Sequence, residues 1–149
     1  MHNDQNNHDE WAQLGAWIAD MPVAMMTNLD ADGALTSRPM WLLGAPDSGA
    51  LWFLADARST KMQRLDAINL SFSDAARSRY VSLSGHAEID TDRARLERLW
   101  TPQAATWFPG GRDDADLVLL KFIPAAADHW DTPRVAIVDV QRVEAVEPA

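Results

Sequence analysis

The chain has 149 residues, of which 47% are hydrophobic, and a formal net charge of −9 at pH 7. That length suits one domain with a real core, and the acidic balance argues against general nucleic-acid binding, which needs a basic field. The absence of cysteine excludes disulfides and thiolate metal sites, and no apolar run reaches the length of a membrane span.

The first ten residues, "MHNDQNNHDE", are polar and lack the apolar segment of a secretory signal, so the expected location is cytoplasmic. Residues 1–8 read as a disordered tail ahead of a single domain over 9–149. Trp11, Leu14, Trp17 and Ile18 recur at helical spacing and predict an amphipathic helix that ends near Met21 and Pro22. Residues 23–29 read as a strand, and "DADG" (30–33) as a hairpin turn in which Gly33 can take positive φ. The return strand, 35–43, places Thr36, Arg38, Met40 and Leu42 on one face and Ser37, Pro39, Trp41 and Leu43 on the other. A second turn over 44–49 leads to a strand at 50–55, a helix over about 59–66, on the spacing of Met62 and Leu65, and a short strand at 69–73.

Residues 79–90 keep period two through Val81, Leu83, Ala87 and Ile89. Gly85, in the same phase, marks a bulge or a close backbone approach. Thr91 is positioned to cap a helix carrying Arg95, Leu96, Leu99 and Trp100. A loop over 106–116 precedes strands at 117–123, 127–130 and 134–140. Many short antiparallel strands with few helices predict a mainly β (α+β) fold, a small β-barrel with peripheral helices.

Three places carry candidate chemistry. In "ARSTK" (57–61) Ser59 suits an N-cap, Thr60 follows in the first turn, and Lys61 adds a cation, the composition of an anion site at a helix mouth. Arg38, on the neighbouring strand pair, can add a forked guanidinium. An ordinary capped helix with solvated cations fits the same residues. In "TWFPGG" (106–111) two rings precede a rigid bend, which suits either an aromatic ligand wall or a hydrophobic plug. The seven tryptophans of the chain likewise suit core, interface or pocket. His129, between Asp128 and Asp131, has no histidine partner at metal-ligand spacing, so no metal site is expected. There is no P-loop, GxGxxG or GxSxG motif. Chemistry, if any, would come from a bound cofactor.

Five segments together resemble the pyridoxamine 5′-phosphate oxidase-like flavoproteins, the FMN-binding split barrels, and within them the general-stress-protein branch. They are "TSRPMWLL" (36–43), "LWFLADARSTK" (51–61), "RYVSLSGHAEI" (79–89), "TWFPGG" (106–111) and "ADHWD" (127–131). The resemblance implies an antiparallel split barrel, a homodimer, and FMN (alternatively FAD) held between subunits, with a small-molecule redox partner. It places Arg38 at the flavin phosphate, Ser59, Thr60 and Lys61 in the phosphate-gripping run, and Leu54 and Ala55 near the ring. Trp130 would pack by the flavin of the other subunit, and Trp107 would flank the ring.

The departures are specific. Thr60 stands where the family keeps an arginine, with Arg58 one place before the run. Tyr80 replaces a glutamine. Arg134 matches the first residue of the oxidases' substrate grip, but Ala136 and Val138 replace its histidine and second arginine. The resemblance therefore implies a flavin-dependent oxidoreductase or a non-catalytic flavin carrier or sensor, and argues against true pyridoxamine 5′-phosphate oxidase activity.

Overall fold

The computed structural model describes residues 4–44, 49–60, 63–131 and 141–144. Helix α1 (Asp4–Ala19) leads into β1 (Val23–Asp30), β2 (Leu35–Gly44) and β3 (Leu51–Asp56). A single helical turn, α2 (Ala57–Thr60), precedes β4 (Gln63–Asp74) and β5 (Arg79–Asp90). Helix α3 (Arg93–Leu99) and a 3₁₀ turn (Pro102–Thr106) then lead to β6 (Leu117–Trp130) and β7 (Gln141–Glu144).

The strands run in the order β3-β2-β1-β4-β5-β6, and β3 pairs with β6 to close the ring; every pairing is antiparallel. This is the expected split barrel. The split lies in β6. Its first half, from Leu117 to Phe122, pairs with β3, and its second half, from Ala126 to His129, pairs with β7. Residues 117–130 thus form one strand where two were expected. The ladder with β5 shifts register between Ser84 and Gly85, as the glycine suggested. A Cβ at position 85 would overlap the carbonyl oxygen of Ile123.

Two apolar clusters explain why the β3 and β6 sequences run apolar without alternation. Leu51, Phe53 and Ala55 face the barrel interior with Val118, Leu120 and Phe122. Leu54, Leu117 and Leu119 face the opposite way, into a second cluster with Leu96 and Ala104. Strands buried on both faces have no polar side to show. Leu14, Trp17 and Ile18 of α1 pack into the main cluster, as their spacing required.

Several boundaries differ from the sequence reading. Helix α1 begins at Asp4, within the stretch expected to be a tail. The helix expected over 59–66 is only α2, and Gln63 already opens a twelve-residue strand. Two apolar residues three apart do not select a helix when β1 offers an open edge, and β4 takes that edge. Asp92, not Thr91, caps α3, accepting from the amides of Ala94 and Arg95. The strand expected at 134–140 lies outside the described residues.

Candidate functional site

Strand β2 carries both halves of the site, on opposite faces. On its outer face Trp41 stands across from Val23, and Pro39 from Met25. Val23, Pro39, Met40, Trp41, Leu54, Trp107 and Phe108 line a small groove of about 60 Å³. Trp107 is 55% exposed, and its ring lies 6.4 Å from that of Trp41, tilted by 35°. With Trp41 partly exposed beside it, this ring pair forms an apolar wall at the surface.

The loop that presents Trp107 is built locally. The amides of Trp107 and Phe108 both bond to Ala104 O, at 3.1 and 2.9 Å, ending the 3₁₀ turn. Phe108 packs against the Leu54–Leu96 cluster and anchors the bend, which leaves its neighbour Trp107 outside. From α3, Arg93 donates to the carbonyls of Arg112 at 3.2 Å and Asp114 at 2.8 Å. The "TWFPGG" segment is therefore both plug, through Phe108, and ring display, through Trp107.

On the inner face of β2, Arg38 lies opposite Met26 and is half-buried. Its Nη2 donates to Asn28 Oδ1 at 2.7 Å. Among the described residues no carboxylate lies within ion-pair reach of it. Burial pushes its pKa below the ordinary arginine value, yet guanidinium stays charged in proteins. A half-buried cation whose partner is neutral is expensive unless an anion completes it.

The "ARSTK" segment is arranged differently from a helix mouth. The Asp56 carboxylate accepts from the Arg58 amide at 2.8 Å and from Arg58 Nε and Nη2 at 3.1 and 2.8 Å. Arg58 also approaches Asp116 at 3.6 Å. These bonds, the Arg58 side chain first, hold the Asp56 pKa down to about 2. Arg58 thus pairs with two carboxylates at the surface. Ser59 is inside the turn, not its cap, and its hydroxyl donates to Asp56 O at 3.0 Å. The Thr60 side chain and Lys61 lie outside the described residues.

The remaining expected positions divide. Leu54 lines the groove, whereas Ala55 turns into the barrel core. Trp130 lies at the far end of β6, paired with Tyr80. That is about 30 Å of strand beyond Leu120, which neighbours Phe53 of β3. Its indole Nε1 is buried without a hydrogen-bond partner among the described residues. His129 packs edge-on against Trp17 at 5.8 Å, a packing role for α1. Among the described residues no cluster of three metal-ligating side chains exists. Arg134, Ala136 and Val138 lie outside the described residues. The sequence pattern alone does not single out Trp41 or Asn28 as site residues. The signal for Asn28 was its phase, shared with the inward-facing Ala24 and Met26.

A sequence profile described as "Pyridoxamine 5'-phosphate oxidase like" matches residues 9–146. The chain belongs to this family. Among solved structures, a Clostridium acetobutylicum protein related to general stress protein 26 superposes with a TM-score of 0.73 at 20% identity, over 90% of this chain and 93% of that one. The general stress FMN/FAD binding protein of Xanthomonas citri aligns at 26% identity and TM-score 0.64, over 90% of this chain and 94% of that one. The protein bli-3 of Neurospora crassa is 34% identical over 101 residues, 64% of this chain. The chain spans about half the length of that curated relative. In this pyridoxamine 5′-phosphate oxidase-like chain, then, the groove and Arg38 sit on the barrel that the structural relatives share.

Proposed function

We propose that this chain binds flavin, with FMN as the form held and FAD as the alternative, and that it works as a cytoplasmic homodimer in stress response. The observation that carries this reading is Arg38, a half-buried guanidinium with only a neutral partner among the described residues, on the strand that also walls an open aromatic groove. Arg38 would hold the phosphate, joined by Ser59, Thr60 and Lys61. Leu54 and Trp107, with Trp41 beside them, would face a flavin ring from the other face of β2, so the phosphate and the ring they meet would belong to sites completed by different copies of the chain. Description of the Xanthomonas citri relative as FMN/FAD binding supports the ligand class.

The size of the groove supports the dimer. Small-molecule sites typically enclose about 300–1,000 Å³, and the groove holds about 60 Å³. One chain supplies one wall, and a second copy would supply the other. By the family resemblance, Trp130 would be the residue that a second copy brings to the flavin.

A bound flavin would contribute hydride or electron transfer, and the protein would position it, exclude water and tune its electrostatics. The apolar groove lining favours a second reading as well, a carrier or sensor that binds flavin without turnover, because none of its side chains is an acid or a base. Both readings predict that the purified protein is yellow or becomes yellow with FMN. Arg38→Ala combined with Lys61→Ala should weaken that binding. Absence of flavin fluorescence quenching by the wild type would overturn both. Reoxidation of NADH- or NADPH-reduced protein by an added acceptor separates the enzyme from the carrier. Sedimentation analysis tests the dimer.

A further inference from the structure

Among the described residues Asn28 is the buried polar one, 2% exposed, on the inward face of β1 beside Ala24 and Met26. It makes two bonds of opposite sense. Its Oδ1 accepts from Arg38 Nη2 at 2.7 Å, and its Nδ2 donates to the carbonyl of Arg64 at 2.9 Å. The second bond has a clear origin. Asn28 pairs with Ile68, but Asp30 pairs with Gln63, so β4 bulges between those two points. Bulged residues leave ladder groups unpaired, and the Asn28 amide takes up the carbonyl of Arg64. An asparagine can do both at once because it carries an acceptor and donors on one planar head.

Resting on the flavin-phosphate reading above, we infer that Asn28 is a positioning and specificity residue: it aims the Arg38 guanidinium and leaves its positive charge uncancelled for a phosphate. An aspartate would hold Arg38 equally well but neutralise it, and would lose the bond to Arg64 O. A threonine or alanine would leave the guanidinium unaimed.

The test compares FMN with riboflavin, the same ring without phosphate, by fluorescence titration of the full chain. The wild type should bind FMN at least tenfold tighter than riboflavin. Asn28→Asp and Asn28→Thr should lose most of that preference while riboflavin affinity stays within about twofold. In an Arg38→Met background the same changes should have no further effect on the preference. Equal loss of both ligands, or an Asn28→Asp protein that keeps its FMN preference, would overturn the inference. If position-28 variants fail to fold, Arg38→Lys decides. It keeps the charge without the forked geometry, so its FMN preference should fall, and a retained preference overturns the inference. A wild type that binds neither ligand rejects the flavin reading itself. One that binds both equally rejects only the phosphate role of Arg38 and Asn28.

Discussion

Gly85 faces the carbonyl oxygen of Ile123 across the β5–β6 seam so closely that no side chain fits between them. Phe122 closes the same space from the side, 3.0 Å from where a Cβ would stand. The obstruction is mostly backbone, which cannot swing aside as a flexible side chain would. Gly85→Ala should therefore destabilise the barrel by about 3 kcal/mol, at the upper end of overpacking costs. Chemical denaturation measures it; a loss below about 1 kcal/mol would show that the seam yields.

That glycine was readable from the sequence because its neighbours alternate. Val81, Leu83 and Ala87 are buried on one face, so period two survived folding and the odd residue stood out. The stretch at 63–66 was not readable. Leu65 packs against the main core from a strand, but its distance from Met62 suited a helix equally well. The deciding factor was the free edge of β1, which no local pattern records. The same holds for the site. Arg38 and Leu54 were legible from motif resemblance. The Trp41–Trp107 pair joins residues 66 positions apart on a strand and a loop, and only the fold brings them together.

Trp107 offers the most exposed ring of the groove, and its role in ligand contact is separable from folding. Trp107→Ala should leave thermal stability nearly unchanged, since the ring is more than half exposed. Loss of one aromatic contact is worth about 0.5–1.5 kcal/mol, so flavin affinity should fall roughly two- to twelvefold. Titration by flavin fluorescence reads this directly. Unchanged affinity would remove Trp107 from the site.

Asp56 and Arg58 give a pH signature. The folded carboxyl titrates at about 2 against an ordinary 3.8. The pair's contribution is thus fully present above the ordinary value and is lost as pH falls from there through about 2. NMR titration of the Asp56 carboxyl should show the low midpoint, and Arg58→Gln should return it toward the ordinary value. Because Arg58 is engaged by Asp56 and Asp116, the same substitution should leave FMN affinity unchanged. A marked loss of affinity would return Arg58 to the phosphate grip.

Arg93 fixes the loop behind Trp107 through two backbone carbonyls. Arg93→Met keeps most of the side-chain bulk and removes both bonds. Limited proteolysis should then cut within residues 107–116 several times faster, while the melting temperature moves by only a few degrees. Equal cleavage rates would show that Phe108 alone holds the loop.

The pairing of β3 with β6 joins positions roughly 60–70 residues apart. Strands β3, β2, β1, β4 and β5 form a contiguous sheet without β6. During synthesis that sheet emerges first, with two bare edges, and an edge strand invites pairing with other chains. Residues 117–130 then satisfy both edges in one step. The barrel strand made last is therefore also the one that protects the nascent chain from its neighbours.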